Sequence, residues 1–313
     1  LGKDLAISKE YFSMIGSLSE VLERIMQDDK GYKLYFPMTE GNETFGQYGN
    51  FIRLKAKEKG KKLEIETPFL EDFLGDKHFG MAFIKAIIVC DLIGLLPNEK
   101  RDYALQDLLV AVKHNAVDEA YLRNLCNSIK EEVEAHKVKK KLMVIGESLV
   151  VYKSFLNHGL IEKLEKEHYV MKQPLAEVLY VLWNDYGHKR NKKNDQYIKL
   201  LKQVKAYFEI VNEILAEYSP YQRDMEEMMT NVNKVLPHYA GGAGRYRLAK
   251  LLTHKDVDGM LIVNSMYENT ATILKVLREK HRKDIKVPVL DLNFDSNKIG
   301  NNNEVLETFL SYI

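Results

Sequence analysis

Residues 141–148, KLMVIGES, decide how the rest of the chain is read. Positions 142–145 form an apolar run with no polar alternation, the pattern of a strand buried on both faces of a parallel sheet. Gly146 and Glu147 follow at its carboxyl end, where α/β proteins hold their ligands. Working outward, the same unit recurs: a short apolar run, then an amphipathic helical stretch. Strands are predicted at 33–37, 63–67, 142–146, 169–173, 259–264 and 287–293. Helical periodicity covers 45–59, 77–95, 101–114, 118–140, 149–167, 175–183, 195–218, 223–236, 245–252, 270–283 and 304–312. Such alternation predicts βαβ units with parallel sheets, hence an α/β fold.

The order adds detail. Two strands come early, a helix-only stretch spans about 77–140, and four more strands follow. This predicts two flavodoxin- or Rossmann-like lobes with a helical insertion, facing a central cleft. The break falls near the basic run HKVKKK at 136–141. Residues 1–140 then form an amino-terminal α/β lobe carrying the insertion, and 141–313 a carboxy-terminal lobe with a long helical pair.

Bulk composition removes several classes. With 45% hydrophobic and 29% charged residues, the chain of 313 residues is built to bury real cores. Lys and Arg number 46 against 45 Asp and Glu, so no overall basic field draws it to nucleic acid or a membrane surface. The absence of a signal peptide and of any apolar run near membrane length predicts a cytoplasmic location. Cys90 and Cys126 both lie in helical patterns and are expected to be buried thiols, giving neither a disulfide nor a metal site. The chain opens at Leu1 without a methionine, as a trimmed product or part of a longer polypeptide would.

Four strand-to-helix loops have the composition to carry chemistry. TEGNETFGQY, 39–48, places Gly41, Glu43, Gly46 and Gln47 before a helix whose free N–H groups suit an anion. The second loop contributes Gly146, Glu147 and, further on, Asn157. The third, IVNSMYENTATILKVL at 262–277, carries Glu268. The fourth, AGGAGRYRLAKLL at 240–252, sets Arg245, Arg247 and Lys250 beside a glycine cluster, either as a basic rim for phosphates or as exposed helix charge. GGAG lacks the Gly-Lys-Ser/Thr ending of a P-loop and the preceding strand of a dinucleotide fingerprint. No histidine has metalloprotease spacing and no nucleophile elbow appears.

Together these loops resemble the cluster-binding component of 2-hydroxyacyl-CoA dehydratases. The nearest likeness is to the related C-terminal region of large CoA-substrate-specific enzyme activases. The likeness rests on FPMTEGNETFGQYGNFIRL, similar to a Gly-Pro-Cys-x-Phe-Gly-Gln-Tyr motif, on VIGESLVVYKSFLNHGLIEKLE, and on VDGMLIVNSMYENTATILKVL followed by VPVLDLNFD. It runs from about residue 10 to the C-terminus.

The resemblance implies a 4Fe-4S cluster held by three cysteines in the cleft, a separate ATP-driven activator as partner, and an acyl-CoA substrate. Laid on this chain, the cysteine positions fall at Tyr11, Glu43 and Glu268, and none is cysteine. Cluster iron prefers soft thiolate donors, so no cofactor is expected from this sequence.

Two functions follow. One is a cluster-free accessory or ligand-binding component, pairing with a dehydratase or activator protein or binding an acyl-CoA. The other is an enzyme using Glu43 and Glu268 across the cleft as an acid–base or metal-binding pair.

Overall fold

The computed structural model describes residues 12–27, 31–35, 43–66, 79–135, 140–190, 195–236, 243–266, 268–295 and 302–313. It is a mixed α/β chain with two parallel sheets. Among the described residues the first consists of β1 (Tyr32–Tyr35) and β2 (Leu63–Glu66), paired from Tyr32 opposite Leu63 to Tyr35 opposite Glu66. Helices α1 (Phe12–Met26) and α2 (Glu43–Glu58) cover it, burying Leu18, Leu22, Ile52 and Ala56.

The second sheet is built from β3 (Lys141–Gly146), β4 (Tyr169–Lys172), β5 (Gly259–Ser265) and β6 (Val289–Phe294), in the order β4-β3-β5-β6, all parallel. Its strands bury both faces, and the alternation of side chains divides them cleanly. Leu142, Val144, Val170, Leu261, Val263, Leu292 and Phe294 point to one core. Met143, Ile145, Tyr169, Met171, Met260 and Ile262 point to the other.

The first face is covered by α6 (Ser148–Tyr152), α7 (Leu160–Glu165) and, from the chain's end, α13 (Asn302–Tyr312). The second face lies under α3 (Phe79–Ile93), α5 (Glu119–Ala135), α8 (Leu175–Arg190), α9 (Asp195–Leu215), α10 (Met225–Val235), α11 (Ala243–Thr253) and α12 (Asn269–Lys280). Helix α4 (Asn98–Lys113) packs on the back of α3 through Leu108 and Ala111. The helical insertion therefore shares its core with the second sheet. The expected break near 136–141 falls largely on residues 136–139, outside the described ones.

The connection β3→β4 runs over the first face and β5→β6 over the second, so the chain reverses direction between β3 and β5. That is a doubly wound sheet of flavodoxin-like order, and its crevice opens outside the carboxyl ends of β3 and β5.

Three sequence expectations are corrected. Helix α1 occupies a stretch in which the sequence pattern predicts no element. The single helix expected over 149–167 is split into α6 and α7, because His158 (φ 55°) and Gly159 (φ 73°) enter the left-handed region. Asn157 fixes that break: its amide donates to the Val150 carbonyl at 2.8 Å and accepts from Leu160 N–H at 3.1 Å. Cys126 is buried as expected, but Cys90 is exposed, on the side of α3 turned away from both cores. The layers of the two sheets touch where α1 leans on residues 153–156: Lys153 pairs with Glu20 at 2.6 Å, and Gly16 lies against Phe155 and Leu156. Among the described residues no helix is long and apolar enough to cross a membrane.

Gly146 ends β3 at φ 151°, and a Cβ there would stand 1.8 Å from the Val263 carbonyl oxygen. Gly146→Ala is expected to destabilise the fold by roughly 3 kcal/mol or more, read as a lower urea midpoint at unchanged slope.

Candidate functional site

The crevice at the carboxyl ends of β3 and β5 is lined by polar groups that hold one another in place. Past Gly146 the chain bends so that Glu147 N–H donates to the Val263 carbonyl at 2.9 Å. The Glu147 carboxylate accepts from Ser265 N–H at 3.0 Å and from the Ser265 hydroxyl, latching β3 to β5. Gln173, the first residue after β4, accepts from Gly146 N–H at 2.9 Å and donates to Ser148 Oγ at 3.0 Å.

Beside them Arg247, 2% exposed, grips Glu268 with two bonds of 2.8 and 3.0 Å and donates to Asn264 at 3.1 Å. Glu268 immediately precedes α12, at its positive end. The amino ends of α11 and α12 touch, since a Cβ on Gly244 would meet Thr270 Cγ2 at 2.2 Å.

Under this crevice lie two buried ionic groups. Asp91, from α3, caps α8 from outside it, accepting from Leu175 N–H at 2.8 Å and Ala176 N–H at 2.9 Å. Tyr152 (3.3 Å) and Tyr221 (3.2 Å) also donate to it, and Tyr152 shares its hydroxyl with the Gln173 carbonyl. Burial pushes the Asp91 carboxyl up to about 7, against the pull of those four donors. Next to it the fully buried Glu177 and Lys250 pair at 2.8 Å. Tyr246 and the Gln222 N–H also donate to Glu177, and Lys250 donates to the Pro220 carbonyl. Burial draws the Lys250 ammonium below its ordinary value, and Glu177 opposes that shift. His254, also buried, is held well below the usual histidine range by burial and by Lys250.

No family model, curated protein or solved structure matches the chain. The site must be judged on its own chemistry.

Of the residues marked out by sequence, Gly146, Glu147 and Glu268 come together at this crevice. Asn157 instead ties the α6–α7 break. Tyr11 and Gly41 lie outside the described residues. Glu43, Gly46 and Gln47 are placed only as backbone of α2, their side chains lying outside the description, so the Glu43–Glu268 pairing has no described geometry.

The basic-rim and exposed-charge readings of α11 are both corrected. Arg245, Arg247 and Lys250 are all buried. Arg245 holds the end of α10 through Asn233 and the Leu236 carbonyl, Arg247 holds Glu268, and Lys250 holds Glu177. Each long side chain finds an internal acceptor because α11 is packed among α8, α10 and α12.

A thiolate-bound cluster does not fit Glu268. Its donor atoms are hard oxygens, and both already accept from a guanidinium. Among the described residues no three His, Cys, Asp or Glu side chains are grouped to hold a metal ion.

Sequence reasoning missed Gln173, Asn264 and Ser265, although each sits at a strand's carboxyl end, the same signal that marked Gly146. It missed Asp91 as well, although a lone carboxylate inside AIIVCDLIGLL was visible.

Two predictions follow from the buried groups. Lys250→Met strands the Glu177 carboxylate without its counter-ion and is expected to cost about 3–5 kcal/mol in urea unfolding. For Asp91, the folded state favours the neutral carboxyl, raised from 3.8 to about 7. Its contribution is therefore fully present below the unfolded value and is lost as pH rises toward the folded one. The stability gap between the wild type and Asp91→Asn should accordingly be widest near about pH 4 and shrink by up to roughly 4 kcal/mol by about pH 8. Denaturant midpoints of both proteins across that range measure it.

Proposed function

We propose that the chain is a cluster-free relative of the cluster-binding component of 2-hydroxyacyl-CoA dehydratases. In this reading it works in the cytoplasm as an accessory or ligand-binding subunit. Its ligand, an acyl-CoA or a similar small molecule, binds at the crevice outside β3 and β5, and its protein partner is a dehydratase or activator. One observation carries the reading: at the position where the resembled family places a cluster thiolate, Glu268 is bound through both oxygens to buried Arg247. A carboxylate engaged in this way is a poor iron ligand and a poor base. The crevice itself, with its backbone latch and satisfied polar wall, is the usual ligand position of a doubly wound sheet.

The alternative, an enzyme using Glu43 and Glu268 as a carboxylate or metal-binding pair, requires Glu268 to leave Arg247. The bidentate bond favours the accessory reading.

Protein purified without oxygen is expected to carry far less than stoichiometric iron and sulfide and no visible charge-transfer band. Stoichiometric iron and sulfide would overturn the cluster-free reading. A thermal-shift series with acyl-CoAs tests the ligand: a hundredfold excess over Kd stabilises by about 2.7 kcal/mol. An unmoved midpoint at millimolar acyl-CoA would remove the CoA ligand.

A further inference from the structure

Helix α4 carries apolar side chains on two sides. On the inner side Leu108 and Ala111 rest on α3, beside Val89 and Ile93. On the outer side Tyr103 is 81% exposed, Leu109 62% and Val110 58%, and Leu105 and Val112 are each more than a third exposed. A single exposed leucine is ordinary, but these large apolar side chains crowd onto three turns of one helix and form a patch. A helix that is apolar on opposite sides has a second surface to cover.

The setting of α4 is fixed from within the chain. Arg101 donates to the Gly94 carbonyl at 2.9 Å and to both oxygens of Glu165, and Tyr121 donates to Asp107 at 2.8 Å. The outer side is therefore presented in one orientation, which lowers the entropy lost when it is covered.

The charges on that side show what covers it. Asp102, Gln106, Leu109 and Lys113 stand at i, i+4, i+7 and i+11, the spacing of a helix–helix seam. Acid stands at one end and base at the other, both exposed. Turned end for end, the helix is its own complement. A two-fold axis passing between residues 107 and 108 sets Asp102 opposite Lys113 of the second copy, and Gln106 opposite its Leu109. On the flanks, Tyr103 meets Val110 of the second copy and Leu105 meets its Val112. Symmetry makes every one of these pairs twice. A parallel arrangement would stack Asp102 on Asp102 and Lys113 on Lys113. The helix dipoles also favour the antiparallel choice.

We infer that the outer side of α4 is a docking surface for a second copy of this chain, which forms a two-fold dimer through an antiparallel α4–α4 seam. One helix face is a small interface, below about 1,200 Å² in total, in the class of weak and transient associations. The dimer accordingly forms with a Kd of roughly 10–100 µM. The surface is separate from the crevice at β3 and β5, and it does not depend on the proposed relationship to the dehydratases.

Sedimentation velocity of the full chain between about 5 and 500 µM is expected to show monomer passing into dimer. Leu109→Asp puts a charge into the seam twice per dimer and should weaken association at least about a hundredfold. Leu109→Ser, which removes the contact without adding charge, should weaken it about tenfold and serves where the aspartate disturbs the helix. Asp102→Lys and Lys113→Asp each set like charges face to face, and each alone should weaken the dimer about tenfold. Mixed in equal amounts, those two variants bring opposite charges together at both ends. The mixture should dimerise at least about tenfold more tightly than either variant alone.

The inference is overturned by a chain that stays monomeric at about 500 µM, which would leave the face to a different protein. A dimer indifferent to both Leu109 substitutions overturns it too, because the interface then lies elsewhere. So does a mixture of the two charge variants no tighter than either alone, because the seam is then not paired acid to base.

Discussion

The buried pair of Lys250 and Glu177 sets the position of α11, and much of the second sheet's outer layer depends on that helix. Both charges are out of water, so the pair holds only because Tyr246, the Gln222 N–H and the Pro220 carbonyl complete its hydrogen bonding. Those bonds join α11 to α8 and to the turn before α10. With the helix fixed in rotation, Arg245 reaches the end of α10 and Arg247 reaches the crevice. Three cations on one buried helix thus orient a framework, and none of them is exposed to meet a phosphate.

The crevice inherits this order. Glu147 and Ser265 latch the two central strands, Gln173 spans from β4 to β3, and Arg247 presents Glu268 at the head of α12. The switch of direction between β3 and β5 creates the opening, and the polar side chains at the strand ends fill its floor. Its electrostatics are those of a neutralised wall, with the carboxylates at positions 147 and 268 already receiving donors. Such a surface suits recognition by hydrogen bonding better than proton abstraction.

Strands β3, β4 and β5 were legible because each is a short, nearly continuous apolar run, as burial on both faces requires, whereas β2, LEIE, alternates apolar and charged residues. Their observed bounds differ from the predicted ones by no more than a few residues. Helix α1 escaped notice because Gly16, Ser17 and Ser19 dilute its pattern with weak helix formers. Its stability comes from burying Leu18, Leu22 and Ile25 and from the close approach to Phe155. The break at 157–159 was written in the sequence as Asn-His-Gly, residues that tolerate left-handed backbone, yet the apolar periodicity on either side masked it. The burial of α11 was not legible at all. Its charges read as surface because their acceptors, Glu177, Asn233 and Glu268, come from three other parts of the chain. At the crevice, sequence found the glycine and the two carboxylates but not what neutralises them.

Asp91 also bears on where the chain can be cut. The helical stretch from 79 to 135 has the look of a removable appendage in linear sequence, set between two groups of strands. In three dimensions it supplies the acceptor for the first amides of α8 and for two tyrosine hydroxyls, and it covers one side of the larger sheet. A fragment beginning at residue 140 would leave those donors without their acceptor and expose the apolar side chains that Ile84, Ile88, Leu92 and Ile129 now shield. The smallest autonomous unit containing the second sheet therefore starts upstream of α3, and any dissection of this polypeptide by proteolysis or gene fusion has to respect that boundary.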